Sequence, residues 1–167
     1  MKKSIKMISA IFIAIVAVVA TSCNSSDPET EQALAGTWQT SFNETEDGIT
    51  MHINAVESYS LEDHKFTSKI TIRYGYPINE RLCTITWAGE WEASKTILTT
   101  QIDKNSIEFS FNKGITDRSD REEIESEMIS GLKEQSFMET LEFKSPITDS
   151  FEAVDGEGES FTYTRVN

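Results

Sequence analysis

The feature that most constrains this chain is an alternation of apolar and polar residues with a period of two. In the segment ITMHINA, apolar residues stand at the odd positions from 49 to 55 and polar residues at the even positions between them. Because successive side chains of a β-strand point to opposite faces, this pattern is typical of a strand with one face in a core and the other in water. Eight further segments have the same pattern, and they begin near residues 37, 66, 83, 97, 106, 138, 149 and 160. The alternation therefore predicts an all-β domain.

Short polar links separate the predicted strands. EASKT at 92–96 and DKN at 103–105 are typical, and links of this length suit hairpins between antiparallel neighbours. A run of hairpins makes a meander, and a long meander has to close or fold over because its exposed edges would otherwise pair with other chains. We therefore predict an antiparallel meander that closes into a β-barrel of about eight to nine strands.

One segment, SDREEIESEMISGLKEQSF, departs from the alternation. Ser119 and Glu122 have the spacing of a capping box, which marks the start of a helix. Apolar residues then recur at helical spacing from Ile124 to Leu132 and form one stripe. The segment predicts one helix from about residue 120 to 135, with its apolar stripe packed on the barrel.

The chain begins with a segment that is not expected to be part of the domain. Three lysines within the first six residues precede an apolar run of 14 residues, from 7 to 20, and Cys23 follows shortly after it. This layout is that of a secretory signal peptide. As a helix the run would be about 21 Å long, whereas a bilayer core is roughly 30 Å thick, so a permanent transmembrane helix is not expected.

The motif VVATSC, which ends at Cys23, resembles the lipobox of bacterial lipoproteins. The resemblance implies a lipoprotein signal peptide at 1–22, acylation of Cys23, and lipid anchoring in the bacterial cell envelope, at the periplasmic or surface-exposed face of the outer membrane. Residues 24–33 are polar and acidic, so we expect a lipidated cysteine and flexible tether at 23–33 and a barrel domain at 34–167. The alternative is an ordinary signal peptide followed by a chance cysteine.

The charge of the chain argues against nucleic acid as a partner. The chain has 28 acidic and 15 basic residues and a net charge of −13. Loss of residues 1–22, which hold three lysines and no acidic residue, would change the net charge to −16. Such a surface repels phosphate. We therefore expect no nucleic-acid partner, and the membrane at the lipid anchor and a small hydrophobic ligand are the partners that the sequence implies.

The segment LAGTWQT carries a second resemblance. GTW at 36–38 resembles the G-x-W signature on the first strand of the lipocalin and lipocalin-like superfamily. In that superfamily the tryptophan closes one end of the barrel, and an arginine near the last strand stacks across it. The resemblance implies a lipocalin-like barrel in which Gly36, Trp38 and Arg165 form a structural plug. The predicted helix precedes three strands, whereas lipocalins usually place theirs before the final strand.

Signals of catalysis and of metal binding are weak. His52 alternates with apolar residues, His64 stands in a turn, and no third ligand lies at a workable spacing for zinc. Cys83 lies in a predicted strand, so we interpret it as a buried thiol and not as a nucleophile. The sequence contains no nucleophile-elbow, phosphate-loop or dinucleotide-binding motif. We predict a protein that is not an enzyme and that has no metal or other cofactor.

Two functions fit a barrel of this kind. The first is a membrane-anchored, non-catalytic binding module that takes a small apolar or amphipathic molecule into its open end. The candidate residues for the lining of such a pocket are aromatic: Tyr74, Tyr76, Trp87, Trp91 and Phe109. The alternative is a surface accessory or interaction protein whose barrel is filled by its own side chains and takes no small molecule.

Overall fold

The computed structural model describes most of the chain from residue 26 onwards. The described residues are 26–46, 49–74, 80–112, 114, 117–134, 136–156 and 158–166, with the backbone alone at 46, 49, 74 and 120. The predicted signal peptide, Cys23 and Tyr76 lie outside these residues.

Strands make up most of the described residues, and each alternating segment of the sequence corresponds to one of them. The strands are β1 (Gly36–Glu46), β2 (Ile49–Tyr59), β3 (Lys65–Tyr74), β4 (Glu80–Ala93), β5 (Ile97–Ile102), β6 (Glu108–Phe111), β7 (Met138–Phe143), β8 (Ser150–Val154) and β9 (Ser160–Arg165). The helical segments are α1 (Pro28–Leu34), a short 3₁₀ turn (Lys104–Ser106) and α2 (Arg118–Glu134).

Eight of the strands form a closed antiparallel barrel. Each of β1 to β4 pairs with the next strand in sequence, β5 pairs with β7, and β7 is joined through β8 to β9. The barrel closes where β9 pairs with β1, with Arg165 opposite Trp38. β6 is an extra strand that pairs with residues 83–86 of the long strand β4, whose later part pairs with β5. The predicted all-β barrel is confirmed.

The alternation in the sequence decides which side chains fill the barrel. On β4 the odd positions from 83 to 93 are buried and face inward. Removal of these side chains from water is the main term that favours folding. Gly89 is one of these positions, and a Cβ there would lie 2.0 Å from the carbonyl oxygen of Gln101 and 2.8 Å from the ring of Phe66. Only glycine therefore allows β4 to approach its neighbours this closely.

Helix α2 forms where the sequence predicted a helix. It runs from Arg118 to Glu134, against an expected range of about 120–135. Ile124, Met128 and Leu132 are between 1% and 3% exposed and belong to the same apolar cluster as the barrel interior. The helix ends where the N–H of Phe137 donates a hydrogen bond to the Leu132 carbonyl (2.7 Å). No helix in the described residues is long and apolar enough to cross a bilayer.

Helix α1 occupies part of the segment that the sequence predicted to be a flexible tether. Asp27 caps it by accepting a hydrogen bond from a backbone N–H of the first turn (3.1 Å), and Pro28 begins the helix. The backbone N–H of Asp27 also donates to the carbonyl of Ala93 on β4 (2.8 Å), and Leu34 is fully buried. Residues 28–33, which the sequence assigned to a flexible tether, are helical in the structure. Packing against the barrel fixes them, and the local sequence does not reveal that packing.

Candidate ligand site in the barrel

One end of the barrel is closed by Trp38, which lies against α1. Its side chain is fully buried, and its Nε1–H donates a hydrogen bond to the carbonyl of Leu34 (2.6 Å). The guanidinium of Arg165 lies over the indole, with Cζ 4.1 Å from the ring centroid. Its terminal nitrogens donate to the carbonyls of Ala33 (2.6 Å) and Ala35 (2.9 Å), which satisfies two carbonyls at the end of α1.

Gly36 permits the close approach of the arginine. Its φ is +125°, a conformation that other residues rarely adopt. A Cβ at this position would lie 2.7 Å from Nη1 of Arg165. The structure thus places Gly36, Trp38 and Arg165 together at the closed end. A ligand site in the barrel has to lie on the side of Trp38 that faces the opposite end.

A cavity of about 40 Å³ lies inside the barrel. Its apolar wall consists of Phe42, Ala55, Ile70, Trp87, Leu98, Leu141 and Phe161. Its polar wall consists of Thr40, Glu57, Tyr59, Thr100, Glu139 and Tyr163. A cavity of this volume has room for a few waters or for a small head group. Its two carboxyl groups distinguish it from an ordinary hydrophobic core.

Glu57 enters the cavity from β2, opposite Trp38 in the β1–β2 register. The hydroxyl of Tyr59 donates a hydrogen bond to its Oε2 (2.6 Å). Ser68 faces Glu57 from β3, near enough to favour the ionised carboxyl, although the two side chains do not reach good hydrogen-bond geometry. Burial outweighs both effects and raises the pKa of Glu57.

Glu139 enters the same cavity from β7, opposite Thr100 on β5. The Thr100 hydroxyl donates to its Oε2 (3.3 Å), while Oε1 is buried and has no hydrogen-bond partner among the described residues. Burial, followed by the neighbouring charge of Glu57, raises the pKa of Glu139 to about 8. The carboxyl of Glu139 is therefore mostly protonated at neutral pH, and a nearby positive charge would favour its ionisation.

Two tyrosines and a tryptophan complete this part of the wall. Burial and then the charge of Glu57 raise the pKa values of Tyr59 and Tyr163 well above the usual range, so both hydroxyls stay protonated. Trp87 is 3% exposed, and its Nε1–H has no acceptor among the described residues. In the described part of the chain, no lysine or arginine forms an ion pair with Glu57 or Glu139.

Two of the aromatic residues that the sequence suggested for the pocket lie in the barrel interior, at different distances from α1. Trp87 is part of the cavity wall. Trp91 lies nearer to α1, with ring centroids 5.4 Å from Tyr59 and 5.6 Å from His64. Its Nε1–H donates to a backbone carbonyl in the turn after β2 (3.1 Å). Trp91 is not part of the cavity wall.

Of the other suggested residues, Phe109 does not line the described cavity. Phe109 lies on the extra strand β6, where it is half-buried and stacks on Phe111 with centroids 6.0 Å apart. The side chain of Tyr74 and the whole of Tyr76 lie outside the described residues. The sequence patterns did not predict the polar wall, although Glu57 continues the inward series of odd positions on β2.

The histidines and the buried cysteine lie away from the cavity. Nδ1 of His52 lies 2.8 Å from Oδ1 of Asn43 on the outer face, and Nε2 of His64 lies 3.3 Å from Oε2 of Glu31 on α1. No group of three or more His, Cys, Asp or Glu side chains within the described residues could hold a metal ion. Burial raises the pKa of Cys83 to about 12, so its thiol stays protonated and is a poor nucleophile.

Comparison with known proteins assigns no family to the chain. No protein-family model matches it. No curated protein matches it either. The functional interpretation therefore depends on the cavity and on the residues around it.

Proposed function

We propose that this chain is a membrane-anchored lipoprotein whose lipocalin-like barrel binds a small amphipathic molecule without catalysing a reaction. The observation that carries the proposal is the cavity, where apolar walls surround polar atoms that have no partner in the described residues. Sites for small molecules have this composition, whereas a filled interior normally pairs its buried polar groups.

The volume of the cavity limits what it can hold. About 40 Å³ is far below the roughly 300–1,000 Å³ of sites that enclose drug-sized molecules. The rings of Phe42 and Phe161 pack edge to face on its wall, with centroids 5.4 Å apart. The cavity is therefore suited to a head group on a short apolar stem.

The same small volume supports a second candidate, a surface accessory or interaction protein with a filled barrel. In that protein, one or two ordered waters would complete the hydrogen bonds of Glu139 and Trp87. Such a protein would bind no small molecule in its interior. A binding experiment separates the two candidates.

Saturable binding of a small molecule is the expected result for the full-length protein in mild detergent. Three four-carbon probes of different charge, 1-butanol, n-butylammonium and butyrate, would be titrated while tryptophan fluorescence is recorded, because Trp87 lies on the cavity wall. At least one probe should bind with a Kd in the micromolar to millimolar range, since ligands this small gain at most about 1.5 kcal/mol per heavy atom.

Ala55→Leu provides the control for this experiment. Ala55 lines the cavity and is 7% exposed, so the added methyl groups should fill the space and abolish binding while the circular dichroism spectrum stays that of the wild type. Mass spectrometry of molecules that copurify from the native host gives a second readout. If no probe binds and no molecule copurifies, the binding function is wrong and the filled barrel is the better assignment.

Acylation of Cys23 is a separate expectation, and VVATSC is the motif that supports it. Cells grown with a clickable palmitate analogue should label the wild-type protein and should not label Cys23→Ala. Each buried CH₂ of an acyl chain contributes about 0.8 kcal/mol to membrane attachment, so the acyl chains are the anchor. Cys83→Ala is the matched control and should label normally. Label on Cys23→Ala, or none on the wild type, would contradict the lipoprotein assignment.

A further inference from the structure

Resting on the proposed function, we infer that the ligand is a small organic cation, a protonated primary amine whose ammonium group is held between Glu57 and Glu139. Both side chains face one cavity from β2 and β7, on strands that are not neighbours in the barrel. This acidic pair narrows the class of ligand, which the apolar walls alone leave open.

At neutral pH the two carboxyl groups would both be ionised only beside a positive charge. They are close enough for the charge of Glu57 to raise the pKa of Glu139. In the described residues, no lysine or arginine pairs with either of them. A buried carboxyl group without a partner avoids the cost of an isolated charge by staying protonated, as Glu139 mostly does, whereas an ionised one is normally paired. An ammonium group supplied by a ligand provides the missing charge.

Unpaired polar atoms give an independent reason for an occupant. Oε1 of Glu139 and Nε1 of Trp87 are both buried without a hydrogen-bond partner among the described residues. Trp87 itself is only 3% exposed. An ammonium group carries three N–H donors, enough to meet Oε1 of Glu139 and an oxygen of Glu57 together. A hydroxyl of the ligand, or a water that enters with it, would accept from Trp87.

The aromatic residues of the wall suit a cation. Trp87, Tyr59 and Tyr163 line the same cavity as the two glutamates. The negative face of an aromatic ring attracts a desolvated cation by about 0.5–2 kcal/mol, with tryptophan the most effective. Carboxylates and aromatic rings in one small cavity favour an organic ammonium over a neutral molecule.

An inorganic metal ion is a poorer occupant. Calcium and magnesium take six or more oxygen ligands, and structural zinc takes four. The described cavity offers two carboxyl groups, and no cluster of three or more potential ligands occurs among the described residues. The donor set therefore matches one ammonium group better than a metal.

Binding of a cation should release a proton. Glu139, with a pKa of about 8, is mostly protonated at neutrality, and an ammonium beside it favours the ionised form. Among the described residues, the other titratable groups near the pair are Tyr59 and Tyr163, which stay neutral, and Asp155, whose charge acts on Tyr163. The affinity for the amine should therefore rise between pH 6 and pH 9, while the amine keeps its own charge.

The experiment compares n-butylammonium with 1-butanol on the full-length protein in mild detergent, by isothermal titration calorimetry in buffers of different ionisation enthalpy. The amine should bind at least about ten-fold more tightly than the alcohol. The buffer should take up the proton that Glu139 releases on binding. Glu57→Gln and Glu139→Gln, which keep the shape of the side chain, should each lower the affinity for the amine at least about ten-fold. Glu152→Gln, on the exposed face of β8, should leave it unchanged.

The possible outcomes separate this inference from the proposed function. Preference for the amine, lost in both cavity variants and kept in the control, supports both. Equal affinity for amine and alcohol, or preference for butyrate, would contradict the inference that the ligand is a cation but would still support a binding function. Absence of binding by all three probes would contradict both the cation inference and the binding function. Proton release on the wild type is measured without any variant, so a variant that fails to fold does not remove the test.

Discussion

Trp38→Ala should lower the free energy of unfolding by about 3–5 kcal/mol, the range for removal of a large buried aromatic side chain. The indole is fully buried and packs edge to face on Phe151, with centroids 4.8 Å apart. It also supports the guanidinium of Arg165 and donates to the carbonyl of Leu34, so its loss would loosen α1 as well as leave a cavity. Urea unfolding followed by circular dichroism at 25 °C measures the change.

Trp38→Phe is the matched control for this prediction. It keeps an aromatic ring against Phe151 and removes the hydrogen bond to Leu34, so the expected loss is smaller, about 1–2 kcal/mol including the lost ring area. A loss below about 1 kcal/mol for Trp38→Ala would show that Trp38 is not the structural plug of the barrel.

The strands could be predicted because their signal is local. A period of two requires only that one face of each strand is buried. Met51 and Ile53, for example, each stand between polar residues, so the alternation can be recognised from adjacent positions in the sequence. Helix α2 was predictable for the same reason, since Ile124, Met128 and Leu132 lie on one helical face. The extra strand β6 was predicted as a strand, but its exclusion from the barrel depends on how the long strand β4 divides one of its edges between β5 and β6.

Helix α1 was missed because its stability comes from contacts distant in sequence. Its seven residues are too few to be helical alone, and they show no apolar periodicity. Burial of Leu34 and the hydrogen bond from Asp27 to Ala93 fix the helix, and both require a completed barrel. A polar, acidic segment considered without such contacts predicts a solvated tether.

The polar wall of the cavity could be predicted only in part from the sequence. Glu57 stands at an inward position of β2, so its burial could have been inferred from the alternation. That Glu139 faces it could not, because the two residues are 82 positions apart and meet only after β9 closes on β1. Among 28 acidic residues, the sequence offers no means of choosing this pair.

The second large effect is expected in the pH dependence of the free energy of unfolding, and it arises from the ionisation of Glu139. In the unfolded chain its carboxyl should ionise near the ordinary pKa of 4.5, whereas in the folded protein burial and Glu57 raise the pKa to about 8. The folded state thus favours the protonated form, so this contribution to stability is complete below pH 4.5 and is lost as the pH rises through 8. At about 1.4 kcal/mol per pKa unit, the ligand-free protein should lose on the order of 4 kcal/mol between pH 5 and pH 9.

Glu139→Gln should remove most of that loss, because glutamine keeps the shape of the side chain and does not ionise. Urea unfolding at pH 5, 7 and 9 measures the slope, and Glu152→Gln on the exposed face of β8 should retain the wild-type slope. Equal slopes for Glu139→Gln and the wild type would contradict the raised pKa. Since an ammonium ligand needs the ionised carboxyl, Glu139→Gln should become more stable at pH 9 and bind n-butylammonium more weakly. A residue with a purely structural role would not give this combination.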